Sequence, residues 1–256
     1  MSAERPLAIV TGAKRGIGLA IATALARAGH DLLIADLGSE AEAAHALANV
    51  AGEGANVAFV PFDLSDQSSH EAVLDAIRAR STPISCLINN AGRGAVKRGD
   101  LLDLTVESFD AVLDTNLRGT VFFTQAIVRE MLANRAPGPR TIVTIGSVSA
   151  TLSSPERLEY CMSKAALASF SKGLALRLAD EAIAVFEVRP GIIRTGMTAG
   201  VADRYDTLIA DGLVPMRRWG EPEDIGTIVA DLASGRFAFA TGSVINADGG
   251  LSIGRL

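Results

Sequence analysis

Short apolar runs alternate with helical stretches along this chain, and this alternation restricts the possible folds more than any other feature. The first run, at 7–11, stops at a glycine-rich turn and gives way to a helical pattern over 16–28. The same pattern predicts further buried strands at 31–36, 56–61, 85–90, 140–147, 183–189 and 243–247. Because parallel strands need crossover connections, which are normally helical, the sequence predicts an α/β fold with a parallel sheet covered on both faces.

Composition narrows the class of protein further. No linker, charge block or solenoid repeat divides the 256 residues, so one domain, 1–256, is expected. The formal charge of −5 without a long basic run argues against nucleic acid or an anionic membrane surface as a partner. The apolar stretches are shorter than the roughly 20 residues that span a bilayer, and residues 1–6 lack a signal-peptide pattern. Three scattered histidines and two cysteines predict no metal site and no disulfide, and we expect a soluble cytoplasmic protein.

The glycine-rich turn at 11–18 reads Gly-x3-Gly-x-Gly between a strand and a helix. Glycines let a backbone approach a pyrophosphate, and the helix that follows offers unpaired N–H groups to an anion. The spacing departs from the G-x-G-x-x-G fingerprint, and glycines that merely permit close packing of a helix on a strand are the alternative. The position of the turn favours dinucleotide binding.

Two features of the first βαβ unit point to different dinucleotides, one to NAD and the other to NADP. Asp36 ends the second predicted strand, where a carboxylate binds a ribose diol and repels the extra phosphate of NADP. Lys14 and Arg15 are cations in the glycine turn that would pair with that phosphate. Since Asp36 would compete with the phosphate directly, the sequence favours NAD(H), with NADP(H) as the alternative.

Polar residues also follow the later strands. Asp63 follows the third strand, where adenine would lie, while Ser65 or Asp66 is expected to cap the next helix. Asn89 and Asn90 follow the fourth strand as turn-forming groups, cofactor contacts or both.

Asn116 lies within a helix predicted from Val106 to Asn134. It is either a solvated surface group or, between apparently buried leucines, an amide that needs a partner. The preceding segment, 93–103, is predicted to be a loop.

The fifth strand leads to Ser147 and Ser149, and one of these serines is expected to donate a hydrogen bond to a substrate oxygen. Tyr160 and Lys164 follow, four positions apart at the head of a helix running to about Asp180. Residues at that spacing share a helix face, and a neighbouring cation favours the phenolate form of tyrosine. A packed aromatic residue beside a solvated lysine is the alternative for this spacing alone.

Together these motifs resemble the short-chain dehydrogenase/reductase family, in particular its 3-oxoacyl-(acyl carrier protein) reductase-like members. The resemblance rests on 11–18, 89–92, Asn116, Ser147 and Tyr160-x3-Lys164, with further matches at 190–191, 215–225, 241–243 and 248–250. It implies a seven-stranded Rossmann-type sheet and an NAD(P)-dependent oxidoreductase that transfers a hydride between nicotinamide and a carbonyl or secondary alcohol. Trp219 is expected to be a packing residue.

The resemblance also implies roles for individual residues. Tyr160 would exchange the proton of the substrate oxygen, Lys164 would assist it and bind the nicotinamide ribose, Ser147 would hold the substrate oxygen, and Asn116 would anchor a relay water. The cofactor-binding residues implied are Gly12, Arg15, Gly16, Ile17, Gly18, Asp36, Asp63, Leu64, Asn90, Ala91, Gly92, Tyr160, Lys164, Pro190, Gly191, Ile193 and Thr195. The family is usually tetrameric, and the tail 251–256 would pack across a subunit interface.

The substrate is the part that the sequence leaves open. Residues 196–214 are expected to form a mobile substrate lid and 151–159 the opposite wall of the cleft. Arg157 in that wall is either a binding group for an anionic substrate or a surface or interface arginine. A 3-oxoacyl thioester on acyl carrier protein or CoA and a sugar, polyol or hydroxy acid are both open substrate classes. A sensor or scaffold that binds NAD(H) without turnover is the remaining alternative.

Overall fold

A parallel sheet between two helical layers forms the core of the computed structural model, which describes residues 5–80 and 82–254. Within those residues seven strands pair in the order β3-β2-β1-β4-β5-β6-β7, all parallel. Their bounds are β1 Leu7–Thr11, β2 Asp31–Asp36, β3 Val57–Pro61, β4 Ile84–Asn89, β5 Arg140–Ile145, β6 Ile183–Pro190 and β7 Val244–Ala247. The predicted doubly wound sheet is confirmed, and the strand order reverses between β1 and β4, where such sheets open a ligand crevice.

The crossovers are helical, as the strand pattern requires. The helices are α1 Gly16–Arg27, α2 Glu40–Gly52, α3 Gln67–Arg78, α4 Val106–Leu113, α5 Thr120–Ala133, α6 Leu158–Leu178, α7 Ala202–Ala210 and α8 Pro222–Ala233. Asp66 caps α3 by accepting from the Ser68 N–H at 2.9 Å, which is the capping role expected of it. None of the helices in the described ranges is long and apolar enough to cross a membrane.

Side chains alternate between the two faces of the sheet. On one face Val10, Ile34 and Val143 pack against Leu25 of α1 and Val229 of α8. On the other face Leu87, Ile142 and Val185 pack against Phe123 of α5 and Leu178 of α6. Helices therefore bury both faces of the sheet, which explains why the strands appear in the sequence as nearly continuous apolar runs.

The helix predicted from Val106 to Asn134 forms as a continuous helical run over 106–133, but its hydrogen bonding is not regular throughout. A π-helical segment, Asp114–Gly119, separates α4 from α5. Asn116 lies in it with 1% of its surface exposed. The wider turn is typical of functional sites, and here it places a buried amide where its partners are.

The predicted lid and loop both contain short helices. Residues 196–214 include the 3-10 turn Ala199–Val201 and α7, and the loop at 93–103 includes the 3-10 turn Leu101–Asp103. Trp219, 6% exposed, packs with Ile209 and Val214, so its predicted packing role is confirmed. The predicted tail contact extends to Leu256, but residues 255–256 lie outside the described residues.

Candidate active site

The glycine turn after β1 is fixed by the residues after β4. The Thr11 hydroxyl accepts from the N–H groups of Asn90 at 3.1 Å and Ala91 at 3.0 Å. The Asn90 amide donates to the carbonyls of Thr11 and Gly12, both at 2.9 Å. Gly12 has φ +69°, and a Cβ built on it would lie 2.8 Å from Ala91 Cα. A larger residue would both strain this backbone and push the two strand ends apart.

The start of α1 is open to an anion. The residue before it, Arg15, provides no side-chain cap, and the first turn contains no acidic residue. Gly18 packs directly against the Gly12 carbonyl and the Asn90 amide, leaving no room for a Cβ. A helix start with unsatisfied N–H groups beside a glycine turn fits a pyrophosphate.

Asp36 lies at the end of β2, beside the same turn. Its carboxylate accepts from the N–H groups of Lys14 at 2.8 Å and Leu37 at 2.7 Å. The Lys14 ammonium is directed toward Glu42, whose carboxylate lies 3.7 Å away. The glycine turn therefore orients the Asp36 carboxylate at the sheet edge while an acid of α2 neutralises one of the two competing cations.

The polar groups of the loop after β3 mainly form hydrogen bonds within the loop. One oxygen of Asp63 accepts from both the N–H, at 2.9 Å, and the hydroxyl, at 2.6 Å, of Ser65. The neighbouring Leu64 is buried, and its carbonyl lies 3.1 Å from the His70 ring. A role for Asp63 at adenine remains a prediction.

Lys164 is anchored to the sheet next to Tyr160. The residue is 6% exposed; its ammonium donates to the Ile145 carbonyl at 2.9 Å and lies 5.8 Å from the centroid of the Tyr160 ring. The carboxyl end of β5 thus holds a positive charge beneath the phenol. This is the proximity that the spacing of the two residues on α6 predicts.

Asn116 joins three segments at this point. Its oxygen accepts from the Arg93 N–H at 2.8 Å. Its amide donates to the Arg93 carbonyl at 2.9 Å and to the Ser163 hydroxyl at 3.1 Å. A Cβ built on Gly92 would lie 3.1 Å from Asn116 Oδ1 and 3.9 Å from Lys164 Nζ. The chain after β4, the π-helical segment and α6 therefore meet at one place.

Ser147 begins the 3-10 turn Val148–Ala150 directly after β5, where it is buried. Its hydroxyl accepts from the Ser149 N–H at 3.0 Å, so its own proton remains available to a further acceptor. The Ile145 carbonyl at the end of β5 binds Lys164, and the same strand end positions the Ser147 hydroxyl.

The segment after β6 closes the side of the site. Gly191 packs against Asp248, and a Cβ there would lie 2.8 Å from Asp248 Cα. Ile193 is buried, and its carbonyl accepts from the Thr198 hydroxyl at 2.8 Å. Thr195 lies across from the glycine turn, with its Cγ2 3.6 Å from a Cβ built on Gly16.

Sequence reasoning missed two contributors to the site. Ser163 connects Asn116 to α6, since its hydroxyl donates to the Tyr160 carbonyl at 2.8 Å, and its position beside Lys164 was the available signal. Thr11 organises both strand ends, and its place before Gly12 was the corresponding signal. The two cysteines are free and buried, and burial raises the pKa of the Cys86 thiol to about 12. A nucleophilic role for Cys86 therefore has no support.

A parallel sheet with a glycine-rich turn, an acid at the end of β2 and a tyrosine–lysine pair defines an oxidoreductase that uses a nicotinamide dinucleotide. A family model described as Enoyl-(Acyl carrier protein) reductase matches residues 12–252. The chain belongs to the short-chain dehydrogenase/reductase family. The fold and reaction class that the sequence predicts are both confirmed.

Three relatives illustrate the range of the family. The chain is 35% identical over 252 residues to the 3-oxoacyl-(acyl-carrier-protein) reductase FabG of Escherichia coli K12, covering 98% of this chain and 99% of that protein. It is 59% identical, with a TM-score of 0.95 and full coverage of both chains, to a 3-oxoacyl-(acyl-carrier protein) reductase from Brucella melitensis in complex with NAD. A gluconate 5-dehydrogenase from Burkholderia cenocepacia, in complex with NADP and tartrate, is 30% identical with a TM-score of 0.88, covering 98% of this chain and 96% of that one.

Proposed function

We propose that Tyr160 exchanges the proton of the substrate oxygen while the substrate carbon exchanges a hydride with NAD(H). The observation that carries this proposal is the anchored Lys164 ammonium, 5.8 Å from the Tyr160 ring centroid. A fixed positive charge stabilises the phenolate relative to the phenol, which a proton-transfer group near neutral pH requires. The nicotinamide, when bound, supplies or accepts the hydride.

The residues around Tyr160 have complementary tasks in this proposal. In reduction, the Tyr160 hydroxyl donates its proton to the carbonyl oxygen, and the Ser147 hydroxyl donates a hydrogen bond that holds that oxygen in place. Lys164 stabilises the phenolate that remains and binds the nicotinamide ribose. Asn116 anchors a water that returns a proton from solvent through Lys164. Oxidation of an alcohol uses the same contacts in the opposite direction.

The other residues proposed to bind the cofactor lie along the carboxyl edge of the sheet. The turn from Gly12 to Gly18 and the open start of α1 would hold the pyrophosphate. Asn90, Ala91 and Gly92 would line the crevice between β1 and β4, with Asp63 and Leu64 near adenine. Pro190, Gly191, Ile193 and Thr195 would enclose the nicotinamide.

NAD(H) is the preferred cofactor in this proposal, with NADP(H) as the alternative. Asp36 would bind the adenosine ribose diol, and its charge would repel a 2′-phosphate. Glu42 offsets the Lys14 cation, which leaves Arg15 as the cation of the turn that favours NADP. The NAD complex of the Brucella relative supports the preference, while the NADP complex of the Burkholderia relative supports the alternative.

Two substrate classes follow from the relatives. Similarity to the Brucella and Escherichia reductases favours a 3-oxoacyl thioester on acyl carrier protein or CoA. Similarity to gluconate 5-dehydrogenase favours a sugar, polyol or hydroxy acid. An acidic carrier would dock on a basic patch, for which Arg129, Arg135, Arg140 and Arg177 are the candidates. Arg135 and Arg177 pair with Glu181, Arg140 is buried and Arg129 is exposed, so these residues give little support to such docking.

A cytoplasmic homotetramer is the proposed form of the enzyme, and light scattering at micromolar concentration tests the assembly. The alternative of a sensor without turnover would require bound NADH that is not consumed with any carbonyl compound. The intact set of Ser147, Tyr160, Lys164 and Asn116 argues against it.

A spectrophotometric comparison tests the proposed reaction. NADH and NADPH are compared at equal concentration with 3-oxoacyl thioesters, and NAD is tested with sugars, polyols and hydroxy acids. We expect carbonyl-dependent oxidation of NADH, with a higher kcat/KM for NADH than for NADPH. A clear preference for NADPH would contradict the role of Asp36, and cofactor binding without oxidation across the whole panel would contradict the proposed activity.

A further inference from the structure

Arg157 lies beside Tyr160, immediately before α6. Its guanidinium carbon is 5.3 Å from the centroid of the Tyr160 ring, and the residue is half-buried in the 151–159 wall of the cleft. The phenol to which we assign proton transfer therefore lies next to a second permanent positive charge besides Lys164. A substrate held by Tyr160 would lie within reach of this charge.

The charge of Arg157 is not compensated by its neighbours. The adjacent Glu156 pairs with Arg204 of α7 at 3.5 Å. Glu159 is buried and accepts from the Ser108 hydroxyl at 2.9 Å. Across residues 5–80 and 82–254, no carboxylate pairs with Arg157 and no acceptor receives a hydrogen bond from its guanidinium.

Two other cations, Lys164 and Arg194, already have partners. Lys164 donates to the Ile145 carbonyl. Arg194 lies over the Trp219 ring at 4.7 Å and pairs with Glu221 at 3.5 Å. A half-buried guanidinium with unused donors is a binding group for a planar anion, because it offers two parallel N–H groups to a carboxylate.

We propose that Arg157 determines substrate specificity by binding a carboxylate close to the reacting carbon. The inference rests on the proposed function, since it assumes that Tyr160 binds the substrate oxygen. With the oxygen on Tyr160 and the carboxylate on Arg157, a short oxo acid or hydroxy acid is held at two points, which fixes the face presented for hydride transfer. A thioester is uncharged at this position and gains nothing from the guanidinium, so the substrate class is a free acid.

Two ketones that differ in charge test this assignment. The substrates are 3-oxobutanoate and its ethyl ester, measured as kcat/KM with saturating NADH. The unmodified enzyme is expected to prefer the acid. In Arg157→Gln we expect kcat/KM to fall about 10- to 100-fold for the acid, the range for loss of a charge-assisted hydrogen bond, and less than about threefold for the ester. Arg157→Lys keeps the charge without the planar donor pair and should lie between the two.

A binding measurement separates recognition from chemistry. In the Tyr160→Phe background, where turnover is blocked, titration of the NADH complex with 3-oxobutanoate is followed by NADH fluorescence. Adding Arg157→Gln is expected to weaken binding of the acid about 10- to 100-fold. Lys172→Gln is the matched control, because it removes an exposed positive charge from the same helix; it should leave the ratio of acid to ester unchanged.

Several results would overturn the inference. Equal losses for acid and ester in Arg157→Gln would mean that Arg157 merely supports the Tyr160 ring. A preference of the unmodified enzyme for the ester, or binding of the acid that does not depend on Arg157, would also contradict it. Failure of the unmodified protein to bind NADH would count against the proposed function instead, so the two failures are distinguishable.

Discussion

The floor of the site and its rim are held by different kinds of interaction. The floor comprises Ser147, Tyr160, Lys164 and Asn116. The polar groups of Ser147, Lys164 and Asn116 are buried and bind main-chain atoms, and Asn116 also binds Ser163. The rim comprises the predicted wall at 151–159 and the predicted lid at 196–214. An exposed ion pair between Glu156 and Arg204 joins the two segments, and the second segment also contributes to a small apolar cluster around Trp219.

The two kinds of interaction imply that the floor is rigid and the rim is adaptable. Buried hydrogen bonds to the main chain give a single arrangement, because each broken bond leaves an unsatisfied group in a dry environment. Exposed ion pairs and a small cluster permit rearrangement at little cost. The floor is therefore suited to one proton transfer, whereas the rim can adapt to different substrates.

The largest effect is expected from Tyr160→Phe, which removes the proton-transfer group and little else. We expect kcat to fall about 10²- to 10⁴-fold, the usual contribution of general acid–base catalysis, with unchanged NADH affinity by fluorescence titration. Tyr205→Phe is the control, because it removes the hydroxyl of the other tyrosine, on the rim. Near-normal turnover in Tyr160→Phe would contradict the assignment of the floor.

Asn116→Ala is expected to destabilise the floor as well as slow the reaction. It leaves the N–H and carbonyl of Arg93 without their partner, at about 1–3 kcal/mol for each group. Calorimetry should show Tm lower by about 2–4 °C for each kcal/mol. The exposed Asn49→Ala should leave Tm nearly unchanged; equal shifts in the two variants would mean that the Asn116 bonds do not stabilise the fold.

Trp219→Leu should loosen the rim while leaving the floor intact. The Trp219 ring meets Tyr205 edge-on, at a centroid distance of 5.8 Å, and its N–H donates to Asp206 at 2.7 Å. Each contact contributes about 1 kcal/mol, and the substitution removes both, so we expect substrate KM to rise up to about 30-fold with unchanged NADH affinity. Trp219→Phe retains the ring contact and should show a smaller rise. Loss of NADH binding in either variant would refute the independence of rim and floor.

The smallest effect is expected from Glu156→Gln, which breaks the ion pair between wall and lid. Both side chains are exposed, so the pair is worth at most about 1 kcal/mol and KM should change less than about fivefold. The difference from the unmodified enzyme should disappear at high salt. Asp231→Asn serves as the control, because it breaks the exposed pair between Asp231 of α8 and Arg236, which follows that helix. A change that persists at high salt would mean that Glu156 acts through another contact.

Three of the four floor residues could be predicted from the sequence, because Ser147 follows a strand and Tyr160 shares a helix turn with Lys164. Asp36, Ser147 and Thr195 lie close to strand ends, and parallel strands bring their carboxyl ends to one edge. The four-residue spacing of Tyr160 and Lys164 fixes their common face. Local rules are therefore sufficient to place these groups near one another.

The rim and the π-helical segment could not be predicted in the same way. The pairing of Glu156 with Arg204 joins residues that are distant in sequence and carries no periodic signal. The sequence predicts a regular helix around Asn116 because its neighbours follow helical periodicity. The partners that favour the wider turn, Arg93 and Ser163, lie on other segments, so propensity and spacing contain no information about them.

The π-helical segment also determines how α5, which follows it, is rotated about the helix axis. Each residue advances an α-helix by about 100°, so an extra residue in one turn rotates everything beyond it relative to what precedes it. With the segment at its present length, the apolar stripe of α5, including Phe123 and Ile127, packs in the core. Deletion of one residue within Asp114–Gly119 would turn that stripe away from the sheet, so the length of this segment couples the position of a site residue to the assembly of one layer of the core.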